Sequence, residues 1–206
     1  MFGIGIPTLN RADLLVPSLE KYANDFAQTD IHIVDNGNQN ILPINECFHV
    51  HDFGTNLGVA GSWNFLCRKI FEKHDYALII NDDVYLGYDK QLVNDVIHAN
   101  PNTLIQSHIS WSVIIVSKRI YEYIGGFDEK FYPAYFEDSD YLYRMKLKGI
   151  RQAVSDKLNP DVIRISMTYE KNPELVNESM KANRQRYIDK WGNIPLLESF
   201  LTPYNK

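Results

Sequence analysis

An α/β class with a mostly parallel central sheet is predicted for this 206-residue chain by three observations. Short apolar runs that read as buried strands alternate regularly with helical stretches through the first half. The first strand, first helix and second strand are spaced as a parallel βαβ unit. One apolar run, Tyr76-Ala77-Leu78-Ile79-Ile80, passes without an intervening turn into Asn81-Asp82-Asp83, placing two carboxylates at the C-terminal end of a strand. In open α/β sheets that edge is where ligands bind.

Taken in order, Phe2 to Ile6 is a strand that Pro7 is expected to stop, because proline cannot donate to a ladder. Asp13 can cap a helix from Leu14 to Gln28, with Leu15, Leu19, Tyr22 and Phe26 on one face. Ile31 to Val34 is a second strand ending in the turn-rich Asp35-Asn36-Gly37-Asn38, and Cys47 to Phe53 can form a third. A helix follows from Gly58 to Lys73, its stripe made by Trp63, Leu66, Ile70 and Phe71. Its small, polar entry Asn56-Leu57-Gly58-Val59-Ala60-Gly61 suits a backbone that approaches a ligand. After the Tyr76 strand come a helix from Asp89 to Ala99 and strands at Leu104 to Gln106 and Val113 to Val116.

The second half is less regular. Gly125-Gly126-Phe127-Asp128-Glu129 breaks the chain before an aromatic run, and Glu137-Asp138-Ser139-Asp140 opens a helix that Gly149 can end. Residues 155 to 172 read as an irregular, mobile loop. Pro173 starts a last helix to Trp191, with Val176, Met180, Tyr187 and Trp191 on the buried side.

Composition narrows the partners. With 45% hydrophobic residues the chain can bury one sizeable core, which predicts a single domain over residues 1–206. A net charge of -5 argues against nucleic acid or an anionic membrane as the main partner. Two cysteines without metal-ligand spacing, Cys47 and Cys67, predict no disulfide framework and a cytoplasmic, reducing setting. No stretch approaches the roughly 20 apolar residues of a membrane span, and no signal peptide is read at the N-terminus. Either the protein is soluble, or it is one domain of a larger product whose anchor lies elsewhere.

Adjacent carboxylates cost free energy unless a cation or hydrogen-bond donors compensate them, so Asp82 and Asp83 point to an oxygen-ligand metal site, with turn formation or helix capping as the plainer alternative. Several segments taken together favour the metal reading. Ile6-Pro7-Thr8-Leu9-Asn10-Arg11, Ile33-Val34-Asp35-Asn36-Gly37-Asn38, Asn56 to Gly61 with Asn64, Asn81-Asp82-Asp83, Gly125-Gly126-Phe127-Asp128-Glu129 and Phe136-Glu137-Asp138-Ser139-Asp140 occur in one order. With Asn183-Arg184 and Lys190-Trp191-Gly192 they resemble the GT-A fold glycosyltransferases, specifically the inverting family 2 that uses nucleotide-diphosphate sugars.

The resemblance implies a Rossmann-like domain with a nucleotide-binding half over residues 1–100 and an acceptor-side half over 101–206. It implies a metal-dependent transfer of one sugar from a nucleotide-diphosphate donor, expected to be UDP-linked, to a hydroxyl of a glycan or lipid-linked acceptor. Pro7, Thr8, Leu9 and Arg11 would line the base and phosphate pocket, with Arg11 the most exposed of them. Asp35 would hydrogen-bond the base or ribose, Asn64 would lie near the nucleotide, and Asn81 and Asp82 would complete the nucleotide contacts. Asp83 would be the metal ligand for Mn²⁺ or Mg²⁺.

The leaving diphosphate gathers negative charge and the chain offers no glycine-rich phosphate loop or dense cationic cluster, so a divalent ion suits the chemistry. Asp138 would be the general base, with Glu137 positioning the acceptor or substituting for it and Asp140 as a third candidate. Trp111, Tyr132, Tyr135 and Phe136 could stack on sugars, although aromatics are more often core. The family's first DxD acid is Asn81 here, and no histidine lies between Gly149 and Trp191 to complete a metal shell. The alternatives are a nucleotidyltransferase, which would need a basic glycine-rich loop after the first strand, and a non-catalytic nucleotide-sugar binding domain.

Overall fold

A computed structural model describes residues 1–108, 111–163 and 173–206. Strands β1 (Phe2–Thr8), β2 (Ile31–Asp35), β3 (Phe48–Asp52), β4 (Tyr76–Ile80), β6 (Leu104–Ser107), β7 (Val113–Ser117) and β8 (Ala153–Ser155) form a seven-stranded sheet in the order β3-β2-β1-β4-β7-β6-β8. Within it only β7 runs against its neighbours. Short strands β5 (Val84–Tyr85) and β9 (Val162–Ile163) pair separately. Helices α1 (Ala12–Asp25), α2 (Gly58–Ile70), α3 (Lys90–Ala99), α4 (Lys118–Ile124), α5 (Glu137–Leu147) and α6 (Pro173–Trp191) complete the described elements. The mostly parallel α/β class is therefore the observed one.

The residue pattern of β1 shows how the layers assemble. Ile4 and Ile6 point into the core that α1 and α3 cover, with Leu15, Leu19, Tyr22, Phe26, Val93 and Val96. Gly3 and Gly5 fall between them on the opposite face, where α2 packs. A Cβ on Gly5 would lie 2.7 Å from Ile79 Cδ1 and 3.0 Å from Leu66 Cβ, so a side chain there would push the helix off the sheet. On this second face Val34, Ile79, Ile114 and Val116 meet Trp63, Leu66, Cys67 and Ile70 of α2 and Tyr141 and Met145 of α5. A smaller cluster of Phe131, Tyr143, Tyr187 and Trp191 attaches α6.

Several boundaries differ from the sequence reading. Pro7 does not stop β1, which continues to Thr8. Ile4 N donates to Asp30 O and Thr8 O accepts from Asn36 N, both toward β2. By strand alternation Pro7 faces β4, and that ladder ends at Gly5↔Ile79, so the missing amide hydrogen has no ladder partner to lose. Helix α1 starts at Ala12 with Arg11 at its cap position, and Asp13 lies in the first turn. Helix α2 ends at Ile70, and its stripe residue Phe71 is the cap. Asp89 does cap α3, its carboxylate accepting from the Gln91 and Leu92 amides.

On α6, Met180 is 40% exposed, while Ser179 and Asn183 take the buried side beside Val176, Tyr187 and Trp191. Ser179 Oγ donates to Ala134 O at 3.1 Å, and Asn183 Nδ2 donates to Ala134 O at 2.7 Å and Tyr132 O at 3.2 Å. Those bonds satisfy carbonyls of the aromatic run, which a methionine could not do. Helix α4, β5 and β8 were not anticipated. Of the loop read over 155 to 172, residues 164–172 lie outside the described residues, and the described part is not irregular: Ser155 ends β8, Asp156–Leu158 form a 3-10 turn and Val162–Ile163 form β9.

Candidate active site

Strand β4 hands the chain to the triplet as anticipated. Asn81 N donates to Ser112 O at 2.9 Å, one step past the Ile80↔Val113 pair, so Asn81 still belongs to the β4–β7 ladder. Asp82 and Asp83 then leave the sheet at its carboxyl edge, half-buried. Burial pushes the Asp82 carboxyl up to about 6 and the repulsion of Asp83 adds to it, against hydrogen bonding from Thr8 and the Leu9 amide and the charge of Arg11. The Leu9 amide is 3.4 Å from Asp82 Oδ2. Burial also raises Asp83, and its Oδ1 is buried with no hydrogen-bond partner among the described residues.

Two desolvated carboxyls side by side, one with an orphaned oxygen, lack positive charge, and a hard divalent cation fits that donor set. Among the described residues no group of three His, Cys, Asp or Glu is arranged to hold a metal.

The residues expected to bind nucleotide gather at the ends of β1 and β2. Pro7 and Leu9 are half-buried and Thr8 is buried. Arg11, expected to be the most exposed of this group, is only 3% exposed. Its guanidinium is gripped by Asp13, with Nε 3.0 Å from Oδ1 and an Nη 3.1 Å from Oδ2. The hydrogen bond to Asp13 pushes it up against the cost of burial, and the fields of Asp82 and Asp83 reach it as well. Arg11 is thus a cation paired with Asp13 that the triplet's field reaches. The pairing is local: with Arg11 at the helix cap, Asp13 lies two residues on in the first turn, within reach of the guanidinium.

Asp35 is buried and organises the following turn. It accepts from Gly37 N at 2.9 Å, Gln39 N at 2.6 Å and Gln39 Nε2 at 2.9 Å. Of about four acceptor sites on a carboxylate, three are used inside the chain. Asn36 next to it accepts from Leu57 N at 2.8 Å and donates to Ser62 Oγ at 3.0 Å, clamping the β2 end to the start of α2.

The close approach read at Asn56 to Gly61 is real, but its partner is the chain itself. Gly58 has φ +70°, and a Cβ there would lie 2.8 Å from Pro133 O. Val59 N donates to the same carbonyl at 2.8 Å. Asn64 is likewise committed. Its Nδ2 donates to Phe127 O at 2.9 Å and Glu129 Oε1 at 2.8 Å, and its Oδ1 accepts from Phe127 N at 2.8 Å and Tyr121 OH at 3.0 Å. These four bonds exhaust an asparagine side chain, so Asn64 holds the Gly126–Glu129 turn in shape.

The residues expected to supply the base lie at the start of α5. Tyr135 and Phe136 both have positive φ, 78° and 74°, a left-handed pair that aromatic residues rarely adopt and that turns the chain into the helix. Glu137 is buried, and burial followed by the repulsion of Asp138 pushes its carboxyl up to about 8, so it is largely protonated at neutral pH. Its Oε2 has no partner among the described residues. Asp138 is half-buried, and its Oδ1 accepts from Ser139 N at 2.6 Å and Ser139 Oγ at 3.3 Å, while among the described residues no such bond involves Oδ2.

Asp140 is different: fully buried, it receives Arg144 Nε at 2.9 Å, Trp191 Nε1 at 2.8 Å and Lys190 Nζ at 2.6 Å. Lys190 also pairs with Asp128 at 2.7 Å, and Arg144 donates to Ile124 O and Gly126 O. Asp140 is therefore the hub that bolts the Gly125–Glu129 turn and α6 to the helix carrying Asp138. Sequence reasoning missed Lys190 and Arg144. The only available signal was their four-residue or tail spacing to a buried acid.

These elements give the chain the GT-A fold. The same architecture is found in a mannosyltransferase from Pyrobaculum calidifontis, solved in complex with GDP-Man and Mn²⁺, at a TM-score of 0.64 and 14% identity over 82% of this chain and 58% of that one. It is also found in GalNAc-T7, solved with UDP, GalNAc and Mn²⁺, at a TM-score of 0.68 and 8% identity over 92% of this chain and 47% of that one. The chain thus spans roughly half to three-fifths of the length of these structures. No family model matches the chain. No curated protein matches it in sequence.

Proposed function

We propose that the protein is a metal-dependent, inverting glycosyltransferase that moves one sugar from a nucleotide-diphosphate donor, UDP-linked in our reading, to a hydroxyl of a glycan or lipid-linked acceptor. The observation that carries this reading is the desolvated Asp82–Asp83 pair with an unpartnered Asp83 oxygen at the carboxyl edge of β4. The solved proteins that share the fold were each bound to nucleotide or nucleotide sugar and to Mn²⁺, which supports it.

Residues 1–100 form the nucleotide half and 101–206 the acceptor half. Pro7, Thr8 and Leu9 line the base and phosphate pocket, and Asp35 uses its remaining acceptor site on the nucleoside. Arg11 contributes positive charge whose field reaches the carboxylates. Asp83, with Asp82 beside it, would hold Mn²⁺ or Mg²⁺, and the ion would supply positive charge to offset that growing on the departing diphosphate. Asp138 takes the acceptor's hydroxyl proton on Oδ2 as that oxygen attacks the anomeric carbon from the face opposite the leaving group. Ser139 holds the other carboxylate oxygen and so orients the base. Glu137, neutral beside it, adds no second charge to Asp138 and can donate a hydrogen bond to the acceptor.

Among the described residues no helix is long and apolar enough to cross a membrane, and Cys47 and Cys67 are both unpaired, which fits a reducing, cytoplasmic setting. A panel of nucleotide sugars assayed for nucleotide release with and without Mn²⁺ tests the proposal. Release with one donor that requires the metal supports it, and metal-independent release, or none with any donor, refutes it.

A further inference from the structure

We propose that Trp111 is a platform for a pyranose ring, seated beside the triplet on the side away from the nucleotide; this rests on the glycosyltransferase reading above. The placement follows from the sheet. Strand order runs β2-β1-β4-β7, so the nucleotide residues at the ends of β2 and β1 stand on one side of Asp82 and Asp83 and the start of β7 on the other. Because β7 is antiparallel, its beginning lies at the same edge as the end of β4. Ile80 pairs with Val113, and Asn81 N reaches Ser112 O at 2.9 Å. Trp111 directly precedes Ser112 in the chain, at the edge where Asp82 follows Asn81.

Trp111 is held in a fixed plane. Trp63 of α2, 3% exposed, lies behind it with ring centroids 6.0 Å apart and an interplanar angle of 24°. Trp63 is itself wedged edge-on against Phe127 at 5.1 Å. Trp111 remains half-buried, partly packed against the core on the α2 face. A pyranose presents C–H bonds on one face and hydroxyls around its rim. An indole plane matches the first through the negative potential of its face, and the neighbouring carboxyls match the second. A lipid chain or a peptide would not require that pairing of flat aromatic plane and carboxyl rim.

Saturation-transfer NMR with methyl α-D-mannopyranoside, methyl β-D-glucopyranoside, methyl β-D-galactopyranoside and methyl α-L-rhamnopyranoside tests the platform directly, with Mn²⁺ and UDP or GDP present. At least one glycoside should receive saturation at its ring C–H protons from the wild-type protein. Trp111→Leu, which keeps an apolar body against Trp63, should lose it with an unchanged melting temperature, and Trp111→Phe should keep it. No saturation of any glycoside by the wild-type protein overturns the proposal, as does equal saturation by a folded Trp111→Leu.

Calorimetry and kinetics separate the two sources of the ring. If it is the transferred sugar, Trp111→Leu weakens UDP-glucose or GDP-mannose about tenfold relative to UDP or GDP. If it belongs to the acceptor, donor affinity holds and the acceptor KM rises by a similar factor. The NMR readout needs no turnover, so a protein that binds glycosides through Trp111 but releases no nucleotide refutes the transferase reading and leaves the platform standing.

Discussion

Replacing Glu137 by Gln should stabilise the protein at alkaline pH while leaving it unchanged in acid. The Glu137 carboxyl is displaced from 4.5 to about 8 by burial and then by Asp138. Between those values the folded chain holds a proton that the unfolded chain has released. Stability therefore falls as pH rises through this window, the sign expected for a raised carboxyl. At about 1.36 kcal/mol for each pH unit the full displacement corresponds to a ceiling of roughly 5 kcal/mol, and relaxation or entering water would reduce it to a few.

Glutamine keeps the shape and the neutral state. Urea denaturation from pH 4.5 to 8.5 should show the wild-type protein losing a few kcal/mol that Glu137→Gln retains, with the two curves meeting at the acid end. Parallel curves would mean that Glu137 is ionised and compensated in the folded state, contradicting the environment described for it. The same variant should keep turnover within about tenfold if Asp138 is the base.

Asp138→Asn should lower kcat by about 10² to 10⁴-fold with little change in melting temperature, because asparagine keeps the Oδ1 that accepts from Ser139. Lys190→Ala should destabilise by roughly 3–5 kcal/mol, read by denaturation, since it leaves the buried Asp140 and its neighbour Asp128 short of a shared cation.

The sheet was legible because its strands are covered on both faces and read as unbroken apolar runs. Ile31 to Val34, Tyr76 to Ile80 and Val113 to Val116 all fall where the runs place them. Proline misled at β1, where the penalty depends on which neighbour the residue faces and where that ladder stops. Neither is visible along the chain. Met180 and Ser179 exchanged roles because apolarity was used to choose the buried face, whereas the face is set by two backbone carbonyls that need donors. Helix α4 is only seven residues long and follows β7 directly, too short for a helical period to show.

At the site, the Asn81-Asp82-Asp83 triplet and the Glu137-Asp138 pair announced themselves as charges in an apolar context. The commitments of Arg11 to Asp13, Asn64 to the Phe127 turn and Asp140 to Lys190 did not. Each depends on a partner brought close by the fold or by the turn of a side chain, and a side chain in a motif can serve the motif's shape as readily as its chemistry.

The account rests on the Asp82–Asp83 pair acting through a divalent ion on a nucleotide-diphosphate donor. Nucleotide release should be measured with UDP- and GDP-linked hexoses, with and without Mn²⁺, for the wild-type chain and Asp83→Asn. The account predicts release by the wild-type protein with at least one donor, lost when the metal is chelated and lost in Asp83→Asn although that variant remains folded. Release that survives either change would contradict it.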